Sequence, residues 1–166
     1  MSKPRIILGI DPGSRCTGYG LIHVDGQTIT HLDHGHIKTK GDDLGSRLFQ
    51  IHSQLTDVVN EFQPDEAAIE QVFTCHNPRT ALILGQARGV ALLAVSHLPT
   101  KEYAPRSVKQ AVVGYGNAAK DQMQHMMRAL LKLTTTPPSD AADALAVAWC
   151  HANSQNSYER LIKDSQ

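Results

Sequence analysis

The sequence predicts an α/β fold on one mixed, five-stranded sheet flanked by helices. Three observations lead there. Three strand-like segments come before any helical one, strand-like and helical patterns then alternate, and the chain closes in helices.

Arg5-Ile-Ile-Leu-Gly-Ile-Asp11 is an apolar run closed by Pro12-Gly13, the pattern of a buried strand entering a turn. Thr17 to Val24 predicts a second strand and Gln27 to Ile37 a third, joined by the hairpin dipeptide Asp25-Gly26. Neither connection has room for a helix, so these strands read as an antiparallel meander. Leu44, Leu48, Ile51, Leu55, Val58, Val59 and Phe62 then recur at helical spacing, and Pro64 stops that helix. Glu66 to Glu70 predicts a short strand, Ala-Ala-Ile between acids. Asn77-Pro78 opens a helix expected to reach about Ser96, and Lys101 to Ala104 predicts the fifth strand. Helices are predicted over Pro105 to Val113, Asp121 to Leu133 and Ser139 to Ala152, separated by Gly114-Tyr-Gly-Asn117 and by Pro137-Pro138. Strands that alternate with helices read as crossovers extending the meander. Residues 1–153 are expected to make a single domain, and the polar segment 154–166 to fray.

Composition excludes several classes. At 166 residues the chain is too short for two full-sized domains, and 41% hydrophobic with 19% charged residues is globular rather than disordered. The formal net charge is zero, so any nucleic-acid surface must come from how charge is distributed. Three widely spaced cysteines, Cys16, Cys75 and Cys150, do not make a disulfide framework. The N-terminus has no signal-peptide pattern, and the most apolar stretch, Thr80 to Leu98, holds Gln86 and Arg88 near its middle. A cytoplasmic protein with no membrane span is the expectation.

Four acids stand out. Asp11 and Glu70 each end a predicted strand, and carboxyl ends of strands are where open α/β sheets place ligands. Asp140 and Asp143, three apart at the start of the last helix, can face one point. Converging carboxylates repel, and a pair of hard cations such as Mg²⁺ relieves that repulsion. Two such ions are a standard arrangement for phosphodiester hydrolysis. Each residue also has a plainer reading. Asp-Pro-Gly is a turn signal, Glu70 could serve as an ion-pair partner, and Asp140 with Asp143 could cap the helix.

Ile7-Leu-Gly-Ile-Asp-Pro-Gly-Ser-Arg15 followed by Thr17-Gly-Tyr-Gly20 closely resembles the opening of RuvC-type crossover (Holliday) junction endodeoxyribonucleases. Ile69-Glu-Gln-Val-Phe73, Leu84-Gly-Gln-Ala-Arg-Gly-Val90, Val108-Lys-Gln110 and Asp140-Ala-Ala-Asp-Ala-Leu-Ala146 are similar to further motifs of the family, in the same order. The resemblance spans about Ile6 to Ala152. It implies a ribonuclease H-like fold and a homodimer that resolves four-way junction DNA in recombination and repair, one nick per subunit. It implies two Mg²⁺ per subunit, with Mn²⁺ able to substitute, on the catalytic acids Asp11, Glu70, Asp140 and Asp143. Some relatives carry His at the position of Asp140, which leaves this residue's role, ligand or base, open. RuvA and RuvB, the branch-migration proteins, are the implied partners.

Between Arg79 and Lys132 stand eight basic residues and two acids, so this segment carries +6 and the remainder −6. That asymmetry fits a phosphate-binding face beside an acidic site. Lys109 and Lys120 flank the glycine-containing loop and match basic family positions near DNA, whereas Lys101 and Arg88 read as solvated surface charges. Phe73, three residues past Glu70, either joins the core or stacks at an opened junction base, and the family favours stacking. Arg15 either holds the scissile phosphate or pairs with a neighbouring acid. Ala81, Gly85 and Gly89 form a stripe of small residues. They either pack on the chain's own sheet or let a second backbone approach, and the family points to a dimer seam. Gly114-x-Gly-x-x-Ala119 does not follow a strand and is no dinucleotide fingerprint. His31-x-x-His-x-His36 lacks a fourth ligand for a transition metal.

Three competing functions remain. Sugar-kinase and actin-like ATPases share the opening strand and turn but need two lobes, and this chain has one copy of the turn. A non-catalytic junction binder would lack an acid. A ribonuclease H-like nuclease acting on RNA–DNA hybrids is separated only by substrate.

Overall fold

A computed structural model describes residues 3–71 and 76–164, with 156–164 as backbone alone. The sheet opens with β1 (Arg5–Asp11), β2 (Cys16–Asp25) and β3 (Thr28–Lys38). After α1 (Leu44–Phe62) come β4 (Glu66–Glu70), α2 (Pro78–Ala94) and β5 (Thr100–Tyr103), then α3 (Pro105–Val113), α4 (Lys120–Leu130) and α5 (Ser139–Asp164). Strand order is β3-β2-β1-β4-β5. The β1–β2–β3 pairings are antiparallel, while β4 pairs parallel with β1 and with β5. This is the mixed sheet that the sequence predicts.

Successive side chains along a strand alternate between faces. Leu8, Ile10, Leu21, Ile37, Ala67 and Ile69 pack with α1 and α2 on one face. Ile7, Ile22, Val24 and Ala68 pack with α3, α4 and α5 on the other. Helix α1 starts at Asp43, whose carboxylate accepts from the Ser46 amide at 2.8 Å, and it buries Ile51 and Leu55 completely. Each such side chain contributes about 1.5–3 kcal/mol. Helix α2 starts at Asn77-Pro78 and buries only alanines, Ala87, Ala91 and Ala94, with α1 as its close neighbour.

Helix α5 crosses the opposite face over β1 and β2, with Ala141, Ala142, Ala144 and Ala148 fully buried. Three glycines, Gly9, Gly18 and Gly20, permit the close approach. A Cβ on Gly9 would stand 2.0 Å from the Ala144 carbonyl oxygen, and one on Gly18 would stand 1.9 Å from that of Asp140.

The last helix runs further than the sequence predicts: α5 passes Ala152 and continues to Asp164. No glycine or proline after Ser139 stops it. Asn153 and Ser154, polar residues that often end helices, turn their side chains back to the Trp149 and Cys150 carbonyls at 2.9 and 2.8 Å. One step further, Gln155 donates to Glu66 at 3.0 Å. His151 also meets Glu66 at 2.6 Å and Tyr103 Oη at 2.7 Å, so a buried polar network ties this part of the helix to β4 and β5.

Candidate active site

Ile10 and Ile69 are register partners on β1 and β4 and share the face covered by α1 and α2. The next residue on each strand is Asp11 or Glu70. By alternation both carboxylates turn to the α5 face, at the edge where the parallel strands end. Asp11 lies opposite Gly18 on β2. Because Gly18 lacks a side chain, the first turn of α5 sits directly on it and brings Asp140 and Asp143 to the same edge.

The four acids feel one another. Burial, with Glu70 beside it, pushes the Asp11 carboxyl up to about 8, and Asp140 adds to the rise. Glu70 is also raised, by burial first and then by Asp143; its hydrogen bond with Asp11 opposes the rise. Both carboxyls are thus pushed towards the protonated form, and the pair shares a proton. Burial pushes Asp143 up to about 6, with Asp11 and Asp140 adding to it. Lys120 counteracts the rise at Asp11, Glu70 and Asp143, and Lys109 does so at Glu70 and Asp143. The two lysines, one on α3 and one at the start of α4, thus face the acids from the side covered by the basic segment.

Asp140 is the second residue of α5, and its carboxylate accepts a hydrogen bond from the Cys16 thiol at 3.1 Å. Burial, with Asp140 next to it, pushes that thiol up to about 12, so Cys16 is a neutral donor. Counting cysteines for disulfides could not single this residue out. The signal was its place at the start of the second strand, beside the turn after Asp11.

The donor set suits a hard divalent cation: four carboxylates, three of them with the charged form disfavoured by burial and by each other. Among the described residues no three His, Cys, Asp or Glu groups are spaced as ligands of a single ion. The hydrogen-bonded Asp11–Glu70 pair must lose its shared proton to bind one.

The remaining predicted residues lie outside this cluster. Arg15 donates to the Gly41 carbonyl at 3.0 Å and stands 3.8 Å from Asp42, with 63% of its side chain exposed. Phe73 lies outside the described residues. Ala81, Gly85 and Gly89 are on the exposed side of α2, and a Cβ on either glycine would meet nothing within 4 Å. They do not pack on the chain's own sheet. Leu82 and Leu93, 69% and 60% exposed, share that side. Arg88, read from sequence as a solvated charge, is instead ion-paired with Glu102. His31 and His34, which strand alternation would put on opposite faces, are hydrogen-bonded at 2.7 Å. The pairing of β2 with β3 skips Leu32, and this bulge brings the two rings together.

A mixed sheet with an antiparallel meander and parallel crossover strands, carrying acids at the ends of β1 and β4 and on a helix across them, defines the ribonuclease H-like class of phosphodiesterases. The family described as "Crossover junction endodeoxyribonuclease RuvC" matches residues 7–151. The chain is 55% identical to the crossover junction endodeoxyribonuclease RuvC of Coxiella burnetii (strain Dugway 5J108-111), over 98% of this chain and 96% of that protein. Among solved structures, Thermus thermophilus RuvC in complex with Holliday junction substrate is 34% identical, with a TM-score of 0.85 over 92% of this chain and 96% of that one. The yeast mitochondrial Holliday junction resolvase Ydc2 shares the fold at 12% identity, with a TM-score of 0.66 over 96% of this chain and 85% of that one. The chain belongs to the RuvC family of crossover junction endodeoxyribonucleases. It is therefore a hydrolytic nuclease, and the family implies dependence on a divalent metal. Among the described residues no helix is long and apolar enough to cross a membrane.

Proposed function

We propose that this chain resolves four-way DNA junctions by paired nicks, one from each subunit of a homodimer, with two Mg²⁺ per subunit held by Asp11, Glu70, Asp140 and Asp143. The observation that carries the reading is the convergence of these carboxylates, within the field of Lys109 and Lys120, in a chain of this family. The structure of the Thermus relative with Holliday junction substrate supports the choice of DNA.

Bound divalent cations supply charge for the attacking and leaving oxygens and lower the pKa of a bound water. The chain's own groups do the rest. The Asp11–Glu70 pair gives up its shared proton, so that both become acceptor-only oxygen ligands. Asp140, held from behind by Cys16, and Asp143, one helical turn on, complete the acidic wall. Lys109 and Lys120 hold phosphates on the approach side, where their charge favours the deprotonated acids. Arg15, at the turn after Asp11, exchanges its contacts with Gly41 and Asp42 for a phosphate. Mn²⁺ substitutes for Mg²⁺, being hard and oxygen-seeking as well.

The exposed face of Ala81, Gly85 and Gly89 is the proposed seam, where small residues let two α2 helices approach closely. Twofold symmetry then presents two identical sites to a nearly twofold junction. RuvA and RuvB are the proposed partners and the cytoplasm the proposed compartment.

The test is cleavage of labelled four-way junction, linear duplex and RNA–DNA hybrid, each with and without Mg²⁺. Paired nicking of the junction, dependent on Mg²⁺ and far above the other substrates, is expected. Preferred cleavage of the hybrid would overturn the reading.

A further inference from the structure

Glu70 is the last residue of β4, and its pairing with Tyr103 ends the β4–β5 ladder. Its neighbour Gln71 is anchored by that ladder and by its side chain. The Gln71 amide donates to the Tyr103 carbonyl at 2.8 Å, and the Gln71 side chain donates to Glu102 Oε2 at 3.2 Å. Glu102 Oε1 is ion-paired with Arg88 of α2. The carboxylate thus gives one oxygen to each partner.

Strand alternation decides the direction of this anchor. Glu102 is the register partner of Ile69, and Ile69 packs on the α1/α2 face. Gln71, two residues on, turns to that same face by alternation. Pinning Gln71 there sets Glu70 on the opposite face, among the acids. A slip of one residue would turn Glu70 away from Asp11.

Arg88 stands next to Gly89 on α2, the helix whose other side carries Gly85, Gly89 and exposed Leu93. Its side chain is only 21% exposed, and its buried Nε has no hydrogen-bond partner, so Glu102 is its anchor.

We infer that Arg88, Glu102 and Gln71 form a positioning relay that fixes Glu70 in the active site and ties it to the outer face of α2. The inference deepens the junction-resolving reading and rests on it. None of the three residues touches the reacting phosphate. They act through Glu70, and a contact made on the outer face of α2 reaches the acid through them. In a dimer joined on α2, occupancy of one subunit's site then biases the geometry of the other.

The test compares wild type with Glu102→Ala, Arg88→Ala, Arg88→Lys and the Glu102→Ala/Arg88→Ala double variant. Each is first shown folded by thermal melting. The readouts are Mn²⁺ binding by electron paramagnetic resonance, junction affinity without metal, and rates of first and second nicks on a supercoiled cruciform plasmid. Glu102→Ala and Arg88→Ala are expected to weaken Mn²⁺ binding and slow the first nick by about tenfold each, with junction affinity unchanged. The double variant should be no slower than the worse single variant, because both break one relay. Arg88→Lys, which keeps the charge, should recover part of the rate. The second nick should lose its dependence on the first in the Ala variants. Single variants with wild-type Mn²⁺ binding and nicking, or a double variant whose losses multiply, would overturn the relay. A wild-type protein that does not nick the junction in the same assay would instead overturn the functional reading.

Discussion

The carboxyl groups of Asp11 and Glu70, which end the neighbouring parallel strands β1 and β4, are hydrogen-bonded to each other and share a proton. The pair is a stored acid. It keeps two like charges apart in a half-buried place, and a cation binding there must displace the proton.

That proton has a sign in stability. The Asp11 carboxyl moves from its ordinary 3.8 to about 8 on folding, so the folded chain binds its proton more tightly than the unfolded one. Its stabilising contribution is complete below the ordinary value and is lost as pH rises through about 8. Asp143 adds the same trend between 3.8 and about 6. Thermal melts of metal-free protein should therefore show a falling melting temperature from about pH 5 to about pH 8, relative to Asp11→Asn. Adding Mg²⁺ should flatten that fall, because the cation binds the deprotonated form. An identical pH profile for wild type and Asp11→Asn would remove the shared proton from the account. The same variant, and Glu70→Gln, should lose cleavage by about 10²-fold or more while still binding junctions, since each loses a ligand without losing a cation from the DNA face.

Lys120 is exposed at the start of α4 and reaches the acids electrostatically. Lys120→Ala should weaken binding to all junction sequences alike. The slope of log affinity against log salt should fall by about 0.9, one B-form phosphate contact. Filter binding across a salt series measures it, and an unchanged slope would take Lys120 off the phosphate path.

Gly18→Ala puts a methyl group where the Asp140 carbonyl oxygen now lies 1.9 Å from the ideal Cβ position. The start of α5 must lift away from β2. We expect a loss of about 1–3 kcal/mol, or roughly 2–4 °C in melting temperature per kcal/mol. Nicking should fall further than stability, because the lift carries Asp140 and Asp143 away from Asp11. A variant that melts lower yet nicks at the wild-type rate would show that the seat of α5 is structural only.

Gly85→Glu places a charge on the open side of α2, where a Cβ meets nothing in the monomer. The monomer should keep its circular dichroism and melting temperature. Light scattering should show the dimer split, and paired nicking should give way to single nicks. A folded variant that stays dimeric moves the seam elsewhere, and a folded monomer that still cuts both strands in one binding event refutes the paired-site mechanism.

Much of this chain is legible from local pattern. Alternation in Arg5–Asp11 and Glu66–Glu70, the helical spacing of Leu44–Phe62 and the Asn77-Pro78 start each depend on neighbours a few residues away. The four acids were readable for the same reason, since an acid ending an apolar strand is a local anomaly and two acids three apart share a helix face. The family motifs lent these signals specificity. Tertiary structure alone decided the rest. Arg88 looked like a surface charge because its partner Glu102 lies 14 positions away, on a different element. Gln71 looked ordinary until β5 came beside β4. Cys16 met Asp140 across 124 positions, and polar residues 153–155 stayed helical because Glu66, 89 positions before Gln155, accepts from it. Periodicity fixes which way a side chain faces within its own element. Which partner waits there depends on how the elements pack, and in this chain three glycines, Gly9, Gly18 and Gly20, let α5 lie on the sheet.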